Sequence, residues 1–299
     1  MNGVRNLLES RYPGLNDRIE QTLIDAEAHF NRRSNQVPSQ FLLEHTRRTA
    51  AIALKISQLE QADPFIPVVV ALLHDAGKFH EGEYHKGDVP EEEHAASLAS
   101  SILADFDFAP TDIDVVRDAL RALYNDKLPC VGPCRIVQDA DRLDKLGALG
   151  VGAFFTKAAL RGRGLIEALG QAASRELTYA LAAPRSMFTD TGKRLANAQS
   201  EKSVAFFESL LDELENWGIA AFDRRKIVLN EDFRTRTGSS VTSMEATIVV
   251  PRTCPDCDAS LGLTHARGRG IKCEKLIAQI ACTACEYRTE TSFCLPVFA

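Results

Sequence analysis

Residues 66–78 read IPVVVALLHDAGK, an unbroken apolar run from Ile66 to Leu73 that leads directly into His74 and Asp75. A run with no polar face suits a helix buried on every side. It is far short of the roughly 20 residues needed to cross a bilayer. Burying an aspartate beside a histidine at the end of such a helix costs on the order of several kcal/mol unless something compensates. A bound divalent cation is the usual compensation. The pair therefore marks a candidate metal site and implies a helical core around it.

Working outward, His45 stands on a predicted helix (FLLEHTRRTA), and Gln138 to Lys145 (QDADRLDK) carries three aspartates on another. Helices supplying His, His-Asp and Asp can surround one cation with mixed nitrogen and oxygen ligands. That donor set suits Mn²⁺, Fe²⁺, Mg²⁺ or Zn²⁺, with open positions left for water and phosphate oxygens. Lys78 and His80 follow the pair at once. Lys78 can hold a phosphate as a point charge, and His80 can do the same or move a proton. His94 opens a helix (EEEHAASLASSIL), and His85 falls in a polar loop.

Three- and four-residue apolar spacing runs from the start to about Gly218 and predicts helices throughout. Asp63-Pro64 and Ala109-Pro110-Thr111 read as helix starts. Residues 82–90 and 183–192 read as loops, 127–133 as a break, and Arg135 to Leu149 as one helix. Beyond about Phe222 the chain turns rich in Thr, Ser and Val with short alternation, which predicts strands. The expected division is an N-terminal helical extension over 1–39, a helical metal-binding domain over 40–225 and a small β-rich module over 226–299. Net charge is −6 and 25% of residues are charged, so bulk composition points to neither nucleic acid nor membrane. The opening residues have no apolar core after a basic start, and a cytoplasmic location is expected.

The order H…HD…D, in the contexts LLEHTRR, ALLHDAGK and IVQDADRLD, resembles the HD superfamily, over about Gln40 to Trp217. IVQDADRLDKLGALGVGAFF and the later MFTDTGKRLA resemble its small bacterial branch, which includes nucleotide pyrophosphohydrolases. The resemblance implies an all-helical metal-dependent phosphohydrolase with His45, His74, Asp75 and Asp141 as ligands. Asp141 sits in the Ala-Asp-Arg-Leu context of the family's metal-binding aspartate; Asp139 is the alternative. Asp144, one turn on, would orient a ligand or the attacking water. Related enzymes carry an extra acidic residue between the pair and the Lys-Phe-His that this chain lacks. Two-metal members have a further His near residues 122–126, where this chain has none. Among the catalytic candidates are Asp75, Lys78, His80, His94 and Asp144.

Six of the eight cysteines lie after residue 253. Cys254-Pro-Asp-Cys257 and Cys282-Thr-Ala-Cys285 have the spacing of two turns that aim four thiolates at one ion. A closed structural Zn²⁺ site in a zinc-ribbon-like module is expected, compensating for the little apolar surface so short a segment buries. Cys273 and Cys294 read as core residues, with His265 a less plausible ligand. Cys130 and Cys134 read as packing residues. Arg161 to Leu165 (RGRGL) lacks the Gly-Lys-Ser/Thr ending of a phosphate-binding loop. Basic residues around the cysteines permit a nucleic-acid or protein partner.

The expected architecture is thus mainly α, an HD-type bundle followed by a β-rich zinc module. The expected activity is hydrolysis of a phosphoester or phosphoanhydride of a nucleotide by metal-activated water. The competing readings are a nucleotide-sensing or nucleic-acid- or protein-binding regulator and, in a minority of HD proteins, an iron oxygenase.

Overall fold

A computed structural model describes residues 2–34, 39–84, 89–123, 125, 127–229, 233–234, 237, 240–241, 243–269 and 274–294. The architecture is mainly helical with antiparallel strands toward the C-terminus. It divides into two compact units, 1–144 with 188–192, and 145–187 with 193–299. Among the described residues no helix is long and apolar enough to cross a membrane.

The first unit holds α1 (Asn2–Glu9), α2 (Leu15–Ser34), α3 (Phe41–Leu59), α4 (Phe65–Leu73), α5 (Glu91–Asp105), α6 (Pro110–Ala122) and α7 (Pro133–Asp144). Its axis is α4, whose residues Val68 to Leu73 are all fully buried, as a helix apolar on every side demands. Asp63 begins α4 by accepting the Phe65 amide at 3.0 Å, and Pro110 opens α6, where a missing N–H costs nothing. Helix α2 does more than precede the bundle. Its Glu27, 3% exposed, accepts the Leu42 amide at 3.0 Å and the Ser39 hydroxyl at 2.8 Å. A carboxylate borrowed from a neighbouring helix thus caps the N-terminus of α3.

The helix expected over 135–149 is two. Helix α7 stops at Asp144, and α8 (Gly147–Leu160) begins at a glycine with φ +67°. That left-handed conformation breaks the run, and the Gly147 amide then donates to Ser203 Oγ at 2.7 Å. The loop expected over 183–192 contains a short helical turn at Ala183–Ser186 before α10 (Asp190–Asn216) starts.

The second unit layers α8, α9 (Leu165–Ala182) and most of α10 against β1 (Phe222–Leu229) and β4 (Met244–Pro251), which pair antiparallel. A small hairpin, β2 (Phe233–Arg234) and β3 (Ser240–Val241), lies between them in sequence. Strands β5 (Leu261–Arg269), β6 (Glu274–Cys282) and β7 (Arg288–Cys294) form a separate antiparallel meander. Strand β4 is buried on both faces. Its Val249 joins Phe222 in the core of α9 and Phe207, while Ala246, Ile248 and Val250 pack with Leu276, Ala278, Ile280 and Phe293. Helix α9 also satisfies the free edge of β4: Ser174 Oγ accepts from the Val249 amide at 2.8 Å and Thr178 Oγ1 from the Thr247 amide at 3.1 Å. The boundary expected near residue 225 therefore falls inside β1, and the cysteine-bearing sheet shares its core with strand β4.

Candidate metal centre

His45 stands in the second turn of α3, His74 caps the C-terminus of α4, Asp75 follows it, and Asp141 lies on α7. All belong to the first unit. The turn after α4 is built close to α5: a Cβ on Gly77 would lie 2.1 Å from the Glu91 carbonyl and 2.9 Å from His94 Cβ. Only glycine lets the backbone bring this turn, and Lys78 with it, so near α5.

The tautomers of both histidines follow from their partners. His74 Nδ1 lies 2.7 Å from the Ala71 carbonyl, which can only accept, so Nδ1 donates. His45 Nδ1 lies 2.7 Å from Asp144 Oδ2 and donates likewise. In the neutral rings both Nε2 atoms then present lone pairs, and these face each other at 3.2 Å. Asp141 Oδ1 stands 3.3 Å from His45 Nε2 and 3.9 Å from His74 Nε2. Asp75 lies beside this group without joining it: its Oδ2 is 3.6 Å from His45 Nε2 and its Oδ1 3.7 Å from His74 Nε2, and Oδ2 is paired with Lys78. Metal–ligand bonds of about 2.1 Å set neighbouring donors about 3.0 Å apart in an octahedron and about 3.4 Å apart in a tetrahedron. The His45–His74 and His45–Asp141 separations match such edges, and the His74–Asp141 separation is longer. Two lone pairs and the Asp141 carboxylate gathered at one point call for a positive charge between them, so the donor set fits a divalent cation. The tightest group is His45, His74 and Asp141.

The electrostatics agree. Burial opposes a charge on His45, but hydrogen bonds to Asp141 and Asp144 and the nearby Asp75 outweigh it and lift its pKa to about 9. Without a cation, a proton takes its place. Burial pushes the His74 imidazole down and keeps it neutral. Burial likewise opposes the Asp75 charge, but Lys78, His74 and His45 hold its carboxyl well below the ordinary range. Lys78 Nζ is paired with Asp75 Oδ2, and that carboxylate raises the ammonium despite its burial.

The three aspartates of α7 have three different tasks. Residues two apart on a helix point about 200° away from each other, so Asp139 and Asp141 cannot share a site. Asp139, fully buried, accepts the amides of Phe188 and Thr189 at 2.8 Å each and the Thr189 hydroxyl at 2.7 Å. It pins the segment that starts α10. Asp144 accepts from His45 and, in two bonds, from Arg48. Arg142 is buried with its guanidinium over the Phe188 ring. His80 and His94 stack face to face, 3.6 Å between centroids. Burial and the neighbouring His80 lower the pKa of His94. His85 lies outside the described residues. Sequence reasoning passed over Arg48 and Glu27; the one available signal for Arg48 was its place one turn after His45.

In the second unit, Cys254, Cys257, Cys282 and Cys285 place their sulfurs within 4.8 Å of one another. Cys254 and Cys285 are 3.5 Å apart, as are Cys257 and Cys282. Zinc–sulfur bonds of about 2.3 Å make tetrahedral edges of about 3.8 Å, so the cluster fits one ion. The Ala284 amide donates to Cys282 Sγ and the Tyr287 amide to Cys285 Sγ, but burial and the neighbouring sulfurs outweigh the latter and raise the Cys285 thiol to about 12. The Ala284 amide helps bring the Cys282 thiol down to about 7. His265 is not part of this group. Two cysteine expectations are corrected. Cys130 and Cys134 are bonded to each other rather than merely packed, their Cα atoms 5.3 Å apart where α7 begins. Cys294 is also disulfide-bonded, whereas Cys273 lies outside the described residues.

Residues 42–146 match the family model of the HD domain. The uncharacterized protein YpgQ of Bacillus subtilis (strain 168) is 29% identical over 172 residues, spanning 56% of this chain and 80% of YpgQ. Among solved structures, a predicted HD superfamily hydrolase from an uncultured Thermotogales bacterium aligns with TM-score 0.49 and 24% identity, over 69% of this chain and 96% of its own. YpgQ crystallised with ADP aligns with TM-score 0.48 and 24% identity, over 67% and 96%.

Proposed function

We propose that the protein, whose residues 42–146 match the HD-domain family model, is a metal-dependent phosphohydrolase acting on a nucleotide-type phosphoester or phosphoanhydride. The observation that carries this reading is the convergence of His45 Nε2, His74 Nε2 and an Asp141 oxygen within 4.8 Å of one another, with Asp75 against both imidazoles. These four residues would hold a divalent cation such as Mn²⁺, Mg²⁺, Fe²⁺ or Zn²⁺, which supplies Lewis acidity and renders water reactive near neutral pH.

The chain's own groups account for the rest of the chemistry. Asp75 anchors Lys78 beside the ligands, where its ammonium offsets charge that develops on phosphoryl oxygens. His94 is kept neutral and beside the turn of Gly77, as a group that accepts or relays a proton must be. His80, stacked on it, presents an exposed edge to an incoming phosphate. In the second unit, Cys254, Cys257, Cys282 and Cys285 would hold a structural Zn²⁺, because four thiolates leave no open position for substrate.

The decisive experiment is hydrolysis of bis-p-nitrophenyl phosphate and of a panel of nucleoside mono-, di- and triphosphates with added Mn²⁺. Activity in the wild type that vanishes in Asp75→Ala supports the reading. Inertness across all substrates and metals, with nucleotide binding retained, replaces it with a sensor. Lys78→Met is expected to lower kcat about 100-fold with little change in Mn²⁺ affinity; a loss confined to KM would reduce Lys78 to substrate binding.

A further inference from the structure

Asp144 does not reach the point where the ligands converge, yet it is only 2% exposed and makes three strong contacts. His45 Nδ1 donates to its Oδ2 at 2.7 Å, Arg48 Nε to its Oδ1 at 2.6 Å, and Arg48 Nη2 to its Oδ2 at 3.0 Å. His45 and Arg48 stand three residues apart on α3, and Asp141 and Asp144 three apart on α7, so each pair shares one helix face. The two faces meet so that one turn serves the cation point and the next turn serves the residue that aims it.

A neutral imidazole carries its proton on either nitrogen, and only the Nδ1–H form leaves the Nε2 lone pair for a cation. Asp144 selects that form. A carboxylate with a single partner can rotate away from it. The two-pronged guanidinium of Arg48 fixes the carboxylate plane and leaves Oδ2 toward His45. A lysine would supply the charge without the fork. Lys78 is engaged elsewhere, on Asp75.

We propose that Arg48 and Asp144 form a positioning pair for the metal centre, the guanidinium fork holding the carboxylate that fixes the tautomer and orientation of His45. This rests on reading the HD pocket as a metal centre, and not on any particular substrate.

The test is Mn²⁺ affinity of the full chain, stripped of metal, titrated by electron paramagnetic resonance without substrate. Asp144→Asn and Arg48→Lys are each expected to weaken Mn²⁺ binding on the order of 10- to 100-fold, with circular dichroism unchanged. Arg48→Lys carries the test should Asp144→Asn fail to fold. A merely structural role would weaken binding equally in any background. In the His45→Ala background, the proposal expects Asp144→Asn to cost nothing further. Equal losses in both backgrounds, or wild-type affinity in both single variants, overturn it. Unchanged affinity in His45→Ala overturns the metal-centre reading and the proposal with it. Tight Mn²⁺ binding with no phosphate hydrolysed removes only the hydrolase reading.

Discussion

His45, His74, Asp75 and Asp141 come from three helices and the turn after α4, and three of the four are buried. The four cysteines come from two short turns, and two of them are exposed. The first cluster has its geometry imposed by a helical core: the all-apolar α4 sets His74, Glu27 caps the helix carrying His45, and α7 delivers Asp141. The second is local, since each C-x2-C turn aims its own pair of sulfurs. A cluster held by the core stays assembled without its ion and can leave coordination positions open for substrate. In the second cluster Cys254 is buried in the core that β4 shares with the C-terminal sheet, but the exposed Cys257 and Cys285 depend on their turns, and four sulfurs would close the site around an ion.

The largest expected effects test that contrast from both sides. Asp141→Ala removes a carboxylate of the proposed metal centre but leaves the helices packed, so on the proposed reading hydrolysis should fall by about 1,000-fold or more while the far-ultraviolet circular dichroism is unchanged. Collapse of the helical signal instead would make the site as dependent on its ion as the cysteine cluster. Cys282→Ser should do the reverse: zinc measured by mass spectrometry falls to background, and β5–β7 become sensitive to protease. Zinc retained at one equivalent per chain would show that the four sulfurs are not its ligands.

A smaller effect comes from protons. In the metal-free protein the His45 pKa is raised from 6.5 to about 9. The stabilisation this provides is complete below pH 6.5 and is lost as pH rises through 9, an effect on the order of 3 kcal/mol. The urea midpoint of metal-stripped protein should therefore decline across that window, and Mn²⁺ affinity should rise across it as the competing proton leaves. His45→Ala should flatten both curves. A midpoint independent of pH between 6.5 and 9 in the wild type would mean that His45 is not charged in the empty site.

The local cluster was the more legible one, because its signal lies in spacing: Cys254-x2-Cys257 and Cys282-x2-Cys285 need no knowledge of the fold. The His74-Asp75 pair was legible for a different reason, the cost of burying it at the end of Ile66 to Leu73. What stayed hidden depends on long-range packing. Arg48 reads as one more polar residue on an amphipathic helix until α7 brings Asp144 against it. The Cys130–Cys134 bond depends on how the chain turns into α7, and the burial of β4 on two faces depends on α9 as well as the C-terminal sheet. Gly147 was visible, but helical spacing on both sides concealed the break that its positive φ creates.

The smallest effect separates two neighbours that sequence alone left as alternatives, Asp139 and Asp141. Both are buried aspartates on α7, and both lie within QDADRLD. Helical geometry sends them in nearly opposite directions, so removing charge from each should have unlike consequences. At Asp139, asparagine keeps one acceptor oxygen but turns an amide donor toward Phe188 N or Thr189 N, which are themselves donors. The expected cost is about 2 kcal/mol of stability, with Mn²⁺ affinity and hydrolysis unchanged. Burial has already raised the pKa of Asp139, so that cost comes from the mismatched donors rather than from the lost charge. At Asp141, asparagine should weaken Mn²⁺ binding and leave the unfolding midpoint of the metal-free protein nearly where it was. If Asp139→Asn instead lost Mn²⁺ binding at wild-type stability, the assignment of these two carboxylates would have to be exchanged, and the segment that starts α10 would have to be held by something other than this latch.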